Sequence, residues 1–294
     1  MEITLATPSP DSLEAITATL ASWQGDSTPN HIHPGDLGWF QRSGAEKTAA
    51  SIRTWYSADG TILAIGLLDG DDLLRATTAP SARGDETLAR AMAADIADPA
   101  KGILPAGNVS FDISADALVR EHVAAVEGWA DADEWTWLSM DLTVGASKGL
   151  HNMRVEIVTT SEQVQQSINV HGLAFSGSTF TEEKWHAMAA SPASKVTGAR
   201  SLLLYEGDEP VGAATVWSAG AGKPGILEPV GVSEKYQRRG LGTALCRAAA
   251  AELKNMGASS AVVATPSSNA AAVATYKKAG FVVARLHRDL CREK

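Results

Sequence analysis

Two hydrophobic periodicities alternate along the chain. Runs such as "RVEIVTT", "ARSLLLYE", "GILEPVGV" and "SSAVVAT" hold apolar, often β-branched residues at alternate positions or in short blocks, and predict strands. Between them, "SEQVQQSINVHGLAF", "TEEKWHAMAA" and "TALCRAAAAELKNMG" place apolar residues three and four apart, and predict helices. Thr181 is an N-cap candidate with two glutamates behind it, and Gly257 stops the Ala-rich helix. Another helix is predicted from about Asn269 to Lys278, then a last strand in "FVVARLHRDL". From residue 151 the predicted order is β-α-α-β-β-β-α-β-α-β.

The first half repeats much of that order. "MEITLAT" predicts a strand, "SPDSLEAITATLASW" a helix, and "ASIRTWYSADGTILAIGLLDGDDLLRATT" three strands broken at Asp/Gly turns. A helix in "DETLARAMAADIA", a strand in "NVSFDIS", a helix in "ADALVREHVAAVEGW" and a closing strand in "EWTWLSMDLT" follow. Matched positions share little identity, so coincidence between two mixed halves competes with true repetition. Tandem α/β domains, 1–145 and 152–294, joined near "VGASKGLHN", account for the order better.

Composition narrows the function. The 294 residues, 45% apolar and 20% charged, suit a soluble globular protein with room for two cores. "MEITLATPSP" lacks the flank and apolar run of a signal peptide, and no apolar stretch is long enough to span a bilayer. Cys246 and Cys291 have neither metal nor disulfide spacing, so a cytoplasmic protein with no membrane partner is expected. Residues 1–150 hold 22 acidic against 9 basic residues, and residues 151–294 hold 12 against 16. That split argues against a nucleic-acid partner and favours the second half for an anionic ligand.

"QRRGLG", residues 237–242, supplies the sharpest chemistry. It joins a predicted strand to a predicted helix, where N–H groups without intrahelical partners and the helix dipole attract anions. Gly240 and Gly242 would let phosphate oxygens reach the main chain, and Arg238 and Arg239 add charge. A tight turn with two solvated arginines is the other reading of the same residues. The P-loop pattern is absent, and Leu245 stands where a dinucleotide fold would want its third glycine.

Residues 227–243 resemble the acyl-CoA-binding segment of the GNAT superfamily of N-acetyltransferases, Q/R-x-x-G-x-G/A after a valine-containing strand. Gln237, Gly240 and Gly242 follow "PVGV" here. "NAAAVATYKKAGF" resembles the family's second segment through Asn269, Ala272, Tyr276, Gly280 and Phe281. The resemblance extends over about residues 153–290. Over 1–145 it is topological, as for a degenerate copy, and the tandem arrangement is similar to that of mycothiol synthase and its relatives. It implies two domains, each a central, mostly antiparallel sheet flanked by helices. It further implies that the Val230, Gly231 and Val232 backbone binds the acetyl and pantetheine part of acetyl-CoA. Arg238, Arg239, Gly240, Leu241, Gly242 and Thr243 would cradle the pyrophosphate, and Asn269 would hold the pantetheine arm. Pro229 cannot donate to a ladder, which suits a strand that bulges and makes the register uncertain.

Acetyl transfer to an amine needs a base, because an alkylamine of pKa ~10.4 is neutral in only about one molecule in two thousand at pH 7. Glu228 is the carboxylate of the strand, on the face of Val230 and Val232 if alternation is strict, and is the expected base; a surface glutamate is the alternative. Tyr276 is expected to hydrogen-bond the departing thiolate, or else simply to pack. Glu183, Trp185 and Trp217 are weaker candidates for an acceptor pocket. "HIH" at His31 and His33 lacks a third ligand at suitable spacing, so no metal is expected and both imidazoles read as solvated. The expected function is transfer from acetyl-CoA to a primary amine, of a small molecule, directly in a ternary complex. A non-catalytic acyl-CoA sensor or a protein N-acetyltransferase is the alternative; oligomeric state is not legible.

Overall fold

A computed structural model describes residues 2–27, 31–143 and 153–293; the joining stretch expected at "VGASKGLHN" lies outside the described residues. The chain forms two compact units that do not follow a single cut in the sequence. One holds residues 1–32, 45–135 and 286–294; the other holds residues 33–44 and 136–285.

In the first unit, β1 (Ile3–Ala6), β2 (Ile52–Ser57), β3 (Ile62–Leu68) and β4 (Leu73–Thr78) run antiparallel in sequence order. β5 (Val109–Asp112) then pairs in parallel with β4, ending at Arg75↔Asp112. The helices are α1 (Leu13–Trp23), α3 (Ala45–Ala50), α4 (Glu86–Ala97) and α5 (Leu118–Ala124). α4 buries Leu88, Ala89, Met92, Ala93 and Ile96, a stripe at three- and four-residue spacing, in a core with Trp55, Leu74 and Phe111. α5 is shorter than the sequence pattern predicts. Gly128, at φ 91°, breaks the backbone, and β6 (Trp129–Asp141) begins at the next residue.

In the second unit, β7 (Arg154–Ile157), β8 (Ala199–Glu206), β9 (Glu209–Trp217) and β10 (Gly225–Val232) are antiparallel neighbours, and β11 (Ser260–Pro266) joins β10 in parallel. Its helices are α2 (Pro34–Phe40), α6 (Ser161–Ala174), α7 (Glu182–Ala189), α8 (Leu241–Asn255) and α9 (Ala270–Ala279). The Ala-rich α8 buries Leu241, Leu245, Cys246, Ala249 and Leu253, and its small residues bring it close to the sheet. The strands of each unit include one parallel pair, β4 with β5 and β10 with β11, beside antiparallel neighbours.

The closing strands differ from the simple repeat. The strand beside β5 is the end of β12 (Val282–Arg292), in register Leu290↔Phe111, and the strand beside β11 is β6. Each unit is therefore completed by the last strand of the other half of the sequence. Alternating apolar residues mark β6 and β12 as strands but do not say which edge they join.

α2 and α3 were also outside the sequence reading, and the "HIH" imidazoles are buried rather than solvated, 1% exposed for His31 and 5% for His33. His33 is the N-cap of α2: its Nδ1 accepts from Gly35 N at 2.9 Å, and Nε2 donates to Pro224 O at 3.1 Å. Those bonds need the neutral ring, and burial lowers its pKa to about 4 although Asp36 and Pro224 O oppose the shift. A lowered histidine pKa makes the unfolded state bind more protons below pH ~6.5, so stability falls as pH drops from there to about 4. The penalty from this one ring reaches about 3 kcal/mol. Denaturant midpoints across that window should fall less steeply for His33→Asn than for the native chain; parallel profiles would show that His33 is not the group responsible.

Candidate active site

The site grows from one irregularity in β10. Its parallel register with β11 holds at Gly225↔Ala261 and Ile226↔Val262 and goes no further, while its pairing with β9 continues to Val232. Leu227 faces Val216 and Val230 faces Ala214, so Glu228 and Pro229 together stand opposite the single residue Thr215. That is a β-bulge, and the Glu228–Pro229 peptide within it is cis. The bulge corrects the strict alternation expected from sequence. Leu227, not Glu228, shares the face of Val230, and both pack in the core beside α8.

Gly231 presents its bare Cα to α6. A Cβ there would lie 2.7 Å from Phe175 Cε2 and 2.8 Å from Ala174 Cβ. The strand thus offers backbone at Val230, Gly231 and Val232, with valines turned to α8 and a helix laid directly on the glycine.

Beyond β10 the chain turns through "QRRGLG". Arg238 has φ 61°, the one non-glycine positive φ among the described residues, and Gly240 has φ 82° as the N-cap of α8. Left-handed residues on either side of Arg239 point backbone N–H groups into a concavity that suits an anion. No side chain caps α8, and a Cβ built on Gly240 meets nothing within 4 Å, so the turn opens onto free space. Leu241 and Thr243 are buried beneath it, and Gly242 lets α9 approach, with Thr275 Cγ2 3.3 Å from where its Cβ would be. Gln237 Nε2 donates back to Val232 O at 3.2 Å and so braces the turn. Arg239 is paired with Glu206 at 2.7 Å, which leaves the backbone and exposed Arg238 as the charge presented.

Tyr276 and Asn269 come from α9. Asn269 caps it, Oδ1 accepting from Ala272 N at 3.2 Å, which leaves its amide N–H groups for another acceptor. Tyr276 packs edge-on against Phe281 at 5.9 Å between ring centroids. Burial, then nearby Cys246 and Glu228, push its pKa above the usual phenol range, so the structure brings Glu228 and Tyr276 within electrostatic reach. Burial also pushes the Cys246 thiol up to about 12, which removes it as a nucleophile.

The acceptor-side candidates separate. Trp217 is 0% exposed; its Nε1 donates to Glu228 O at 2.7 Å, and its ring fills the space where Gly35 and Gly38 lack Cβ atoms. It is therefore a support for the bulge and not a pocket wall. Trp185 is half-buried against Met188 and Trp217, and Glu183 is exposed on the same helix. Sequence reasoning missed an aromatic cluster in this unit: Trp39, His171, Phe175 and Phe180, with centroids 4.6–5.9 Å apart in the contacting pairs. His171 and Phe175, four apart on one helix ending, were its only local signal. Burial, aided by Arg42, lowers the His171 pKa to about 4, and its Nδ1 lies 2.7 Å from Ser178 Oγ.

A bulged strand parted from its neighbour, a glycine-opened helix start and a capped partner helix fit the pantetheine and pyrophosphate of an acyl-CoA. Residues 167–281 match the family described as Acetyltransferase (GNAT) family. The fold extends over the whole chain in solved structures. A tandem GNAT protein from the clavulanic acid biosynthesis pathway is 14% identical with TM-score 0.63, covering 99% of this chain and 98% of its own. A GNAT-family acetyltransferase from Colwellia psychrerythraea is 11% identical with TM-score 0.62, covering 100% and 99%. A GCN5-related N-acetyltransferase from Sphaerobacter thermophilus is 18% identical with TM-score 0.57, covering 99% and 95%. No curated protein sequence matches the chain. The chain is thus a tandem GNAT fold, and its second unit carries a match that supports acyl transfer in general terms.

The Gly231 contact is testable by stability alone. Gly231→Ala should cost about 1–3 kcal/mol in chemical denaturation, because Phe175 and Ala174 must move. An unchanged midpoint would mean that α6 is free to withdraw from β10.

Proposed function

We propose that the protein is an acetyl-CoA-dependent N-acetyltransferase acting on a primary amine of a small molecule, by direct transfer in a ternary complex. The observation that carries this reading is the uncapped, glycine-opened start of α8 beside the parted end of β10. Acetyl-CoA supplies an activated thioester, and the remaining work falls to residues of this chain.

The backbone of Val230, Gly231 and Val232 orients the acyl arm, with Asn269 as a further donor. N–H groups from Arg238 to Thr243 neutralise pyrophosphate, which water would otherwise solvate. Glu228 takes the proton that a cationic amine must lose, through water. Tyr276 stays a neutral donor throughout the physiological range because its pKa is raised, and it stabilises charge developing on sulfur. Half-buried Trp39, Phe175 and Phe180 suit an acceptor with an apolar body, and Glu183 with Trp185 suit its cationic end. The free cysteines Cys246 and Cys291 agree with a reduced, cytoplasmic setting, and no helix among the described residues is long and apolar enough to cross a membrane.

The first unit, a degenerate copy in this reading, has lost its cofactor. Its corresponding helix start is closed by its own side chains: Asp85 caps α4 at Leu88 N, 2.9 Å away, and Glu86 engages Arg90 at 2.6 Å. These carboxylates complement the dipole that phosphate would need.

Free thiol released from acetyl-CoA over an amine panel tests the activity, and binding without turnover across that panel would favour a sensor. Glu228→Gln should lower kcat/KM most at low pH, where the amine is most protonated. Tyr276→Phe should lower kcat about tenfold or more with little change in acetyl-CoA affinity. Wild-type rates in both variants, with chemistry limiting, would remove those roles.

Calorimetric titration should find one acetyl-CoA per chain, lost in Gly240→Glu, which places a carboxylate in the turn and a side chain at positive φ. Two equivalent sites, or binding that survives the substitution, would overturn the assignment of the site.

A further inference from the structure

We propose that His31, Asp112 and His287, with Asp289 beside His287, form a site for a divalent transition-metal ion in the first unit, and that the ion is zinc. The inference does not rest on acyl transfer. Its ground is a buried meeting of donors from three distant parts of the chain. Asp112 Oδ1 lies 2.5 Å from His31 Nδ1 and 3.0 Å from His287 Nε2, and Asp289 Oδ1 lies 3.4 Å from the same His287 nitrogen. The two imidazole centroids are 4.4 Å apart at 65°, so the rings converge edge to face and do not stack.

Local structure explains the convergence. Asp112 is the last residue of β5, and its final register partner on β4 is Arg75. On the other side of β5, Leu290 pairs with Phe111, which carries Asp289 to the level of Asp112; His287, two residues earlier, projects from the same face of β12. His31 comes from the segment after α1. None of this follows from sequence spacing, which is why "HIH" offered no third ligand. The second histidine of that motif belongs elsewhere, as the cap of α2.

Hydrogen bonding alone leaves this cluster poorly served. His287 Nε2 is buried between two carboxylate oxygens and makes a well-formed hydrogen bond to neither. Burying charged and polar groups without such bonds is costly, and a cation met by their lone pairs removes that cost. Two imidazole nitrogens and a carboxylate oxygen, with a fourth position for water, are a donor set for zinc, and bonds of about 2.1 Å put tetrahedral ligand atoms ~3.4 Å apart. The 3.0 Å between His287 Nε2 and Asp112 Oδ1 lies near that spacing. The shorter His31–Asp112 contact is a hydrogen-bond distance whose proton a metal would displace, widening the pair.

The surroundings hold the ligands in place. Arg75 Nε lies 3.6 Å from Asp112 Oδ2, the oxygen turned away from the imidazoles, and its NH2 donates to His31 O at 2.7 Å. Outer-shell contacts of this kind orient ligands and tune affinity. A metal here would tie the C-terminal strand to β5 and to the segment after α1, a structural clip across a long stretch of sequence.

The test is metal binding by the intact chain after chelator treatment, with Zn2+ followed by calorimetry and Co2+ by its visible absorption at neutral pH. One ion per chain, an intense low-coordinate Co2+ spectrum and a raised Tm are expected. His287→Gln and Asp112→Asn should each weaken Zn2+ more than about 100-fold, beyond the 10–100-fold usual for outer-shell partners. Should either variant fail to fold, the partly buried Asp289→Asn serves instead, with a loss of at least about tenfold. A folded wild-type chain that takes up neither ion at micromolar concentration would overturn the proposal and leave a proton-bridged His–Asp–His network. Binding unchanged in a folded variant would overturn it equally.

Discussion

The second unit depends on one constraint: past Ile226, β10 keeps its hydrogen bonds to β9 and gives up those to β11. A buried strand edge without ladder partners is costly unless something else meets its N–H and C=O groups. The bulge at Glu228 and Pro229 makes the parting possible, because a proline has no N–H to leave unsatisfied. Trp217 secures the same place from below, donating its indole N–H to Glu228 O while filling the space above Gly35 and Gly38. The opening that suits an acyl arm is thus held by core packing and not by a loop.

Electrostatics then separates the two copies. Both units start a helix after the strand that ends in a parallel pair, but the first closes its helix start with Asp85 and Glu86. The second leaves Gly240 bare and adds Arg238. A capping carboxylate is worth about 0.5–2 kcal/mol of helix stability, and α8 forgoes it. Burial of Leu241, Leu245, Ala249 and Leu253 lets α8 stand without a cap. Stability surrendered at a helix start, and recovered in a core stripe, is what a ligand-binding end requires.

How much of this was legible depends on the range of each interaction. Periodicity gave the elements around the site, and the glycines at 240 and 242 pointed to the turn, because helix and turn chemistry is local. Strand partnership is not local. The exchange of β6 and β12 follows from edges that no periodic pattern encodes, and the face of Glu228 was misread because a bulge spends two residues where alternation counts one. The same limit hid His287 and Asp112 from His31, and Trp39 from His171. Short helices α2 and α3 escaped because seven and six residues carry too little period to register.

Tyr276 shows how the environment chooses between two roles that a sequence leaves open. In water a phenol near ~10 giving its proton to a thiolate near ~8.5 is already uphill by about 2 kcal/mol. Burial, then Cys246 and Glu228, raise the phenol further and steepen that climb. Burial alone strengthens a hydrogen bond that stops short of transfer, since a donor with little water around it gains more from a developing anion. A carboxylate close to Tyr276 also resists formation of a second anion there, so the thiolate would leave carrying its own charge into solvent. In the proposed reaction the base and the donor would thus work in opposite senses, one gathering a proton from the amine and the other keeping its own.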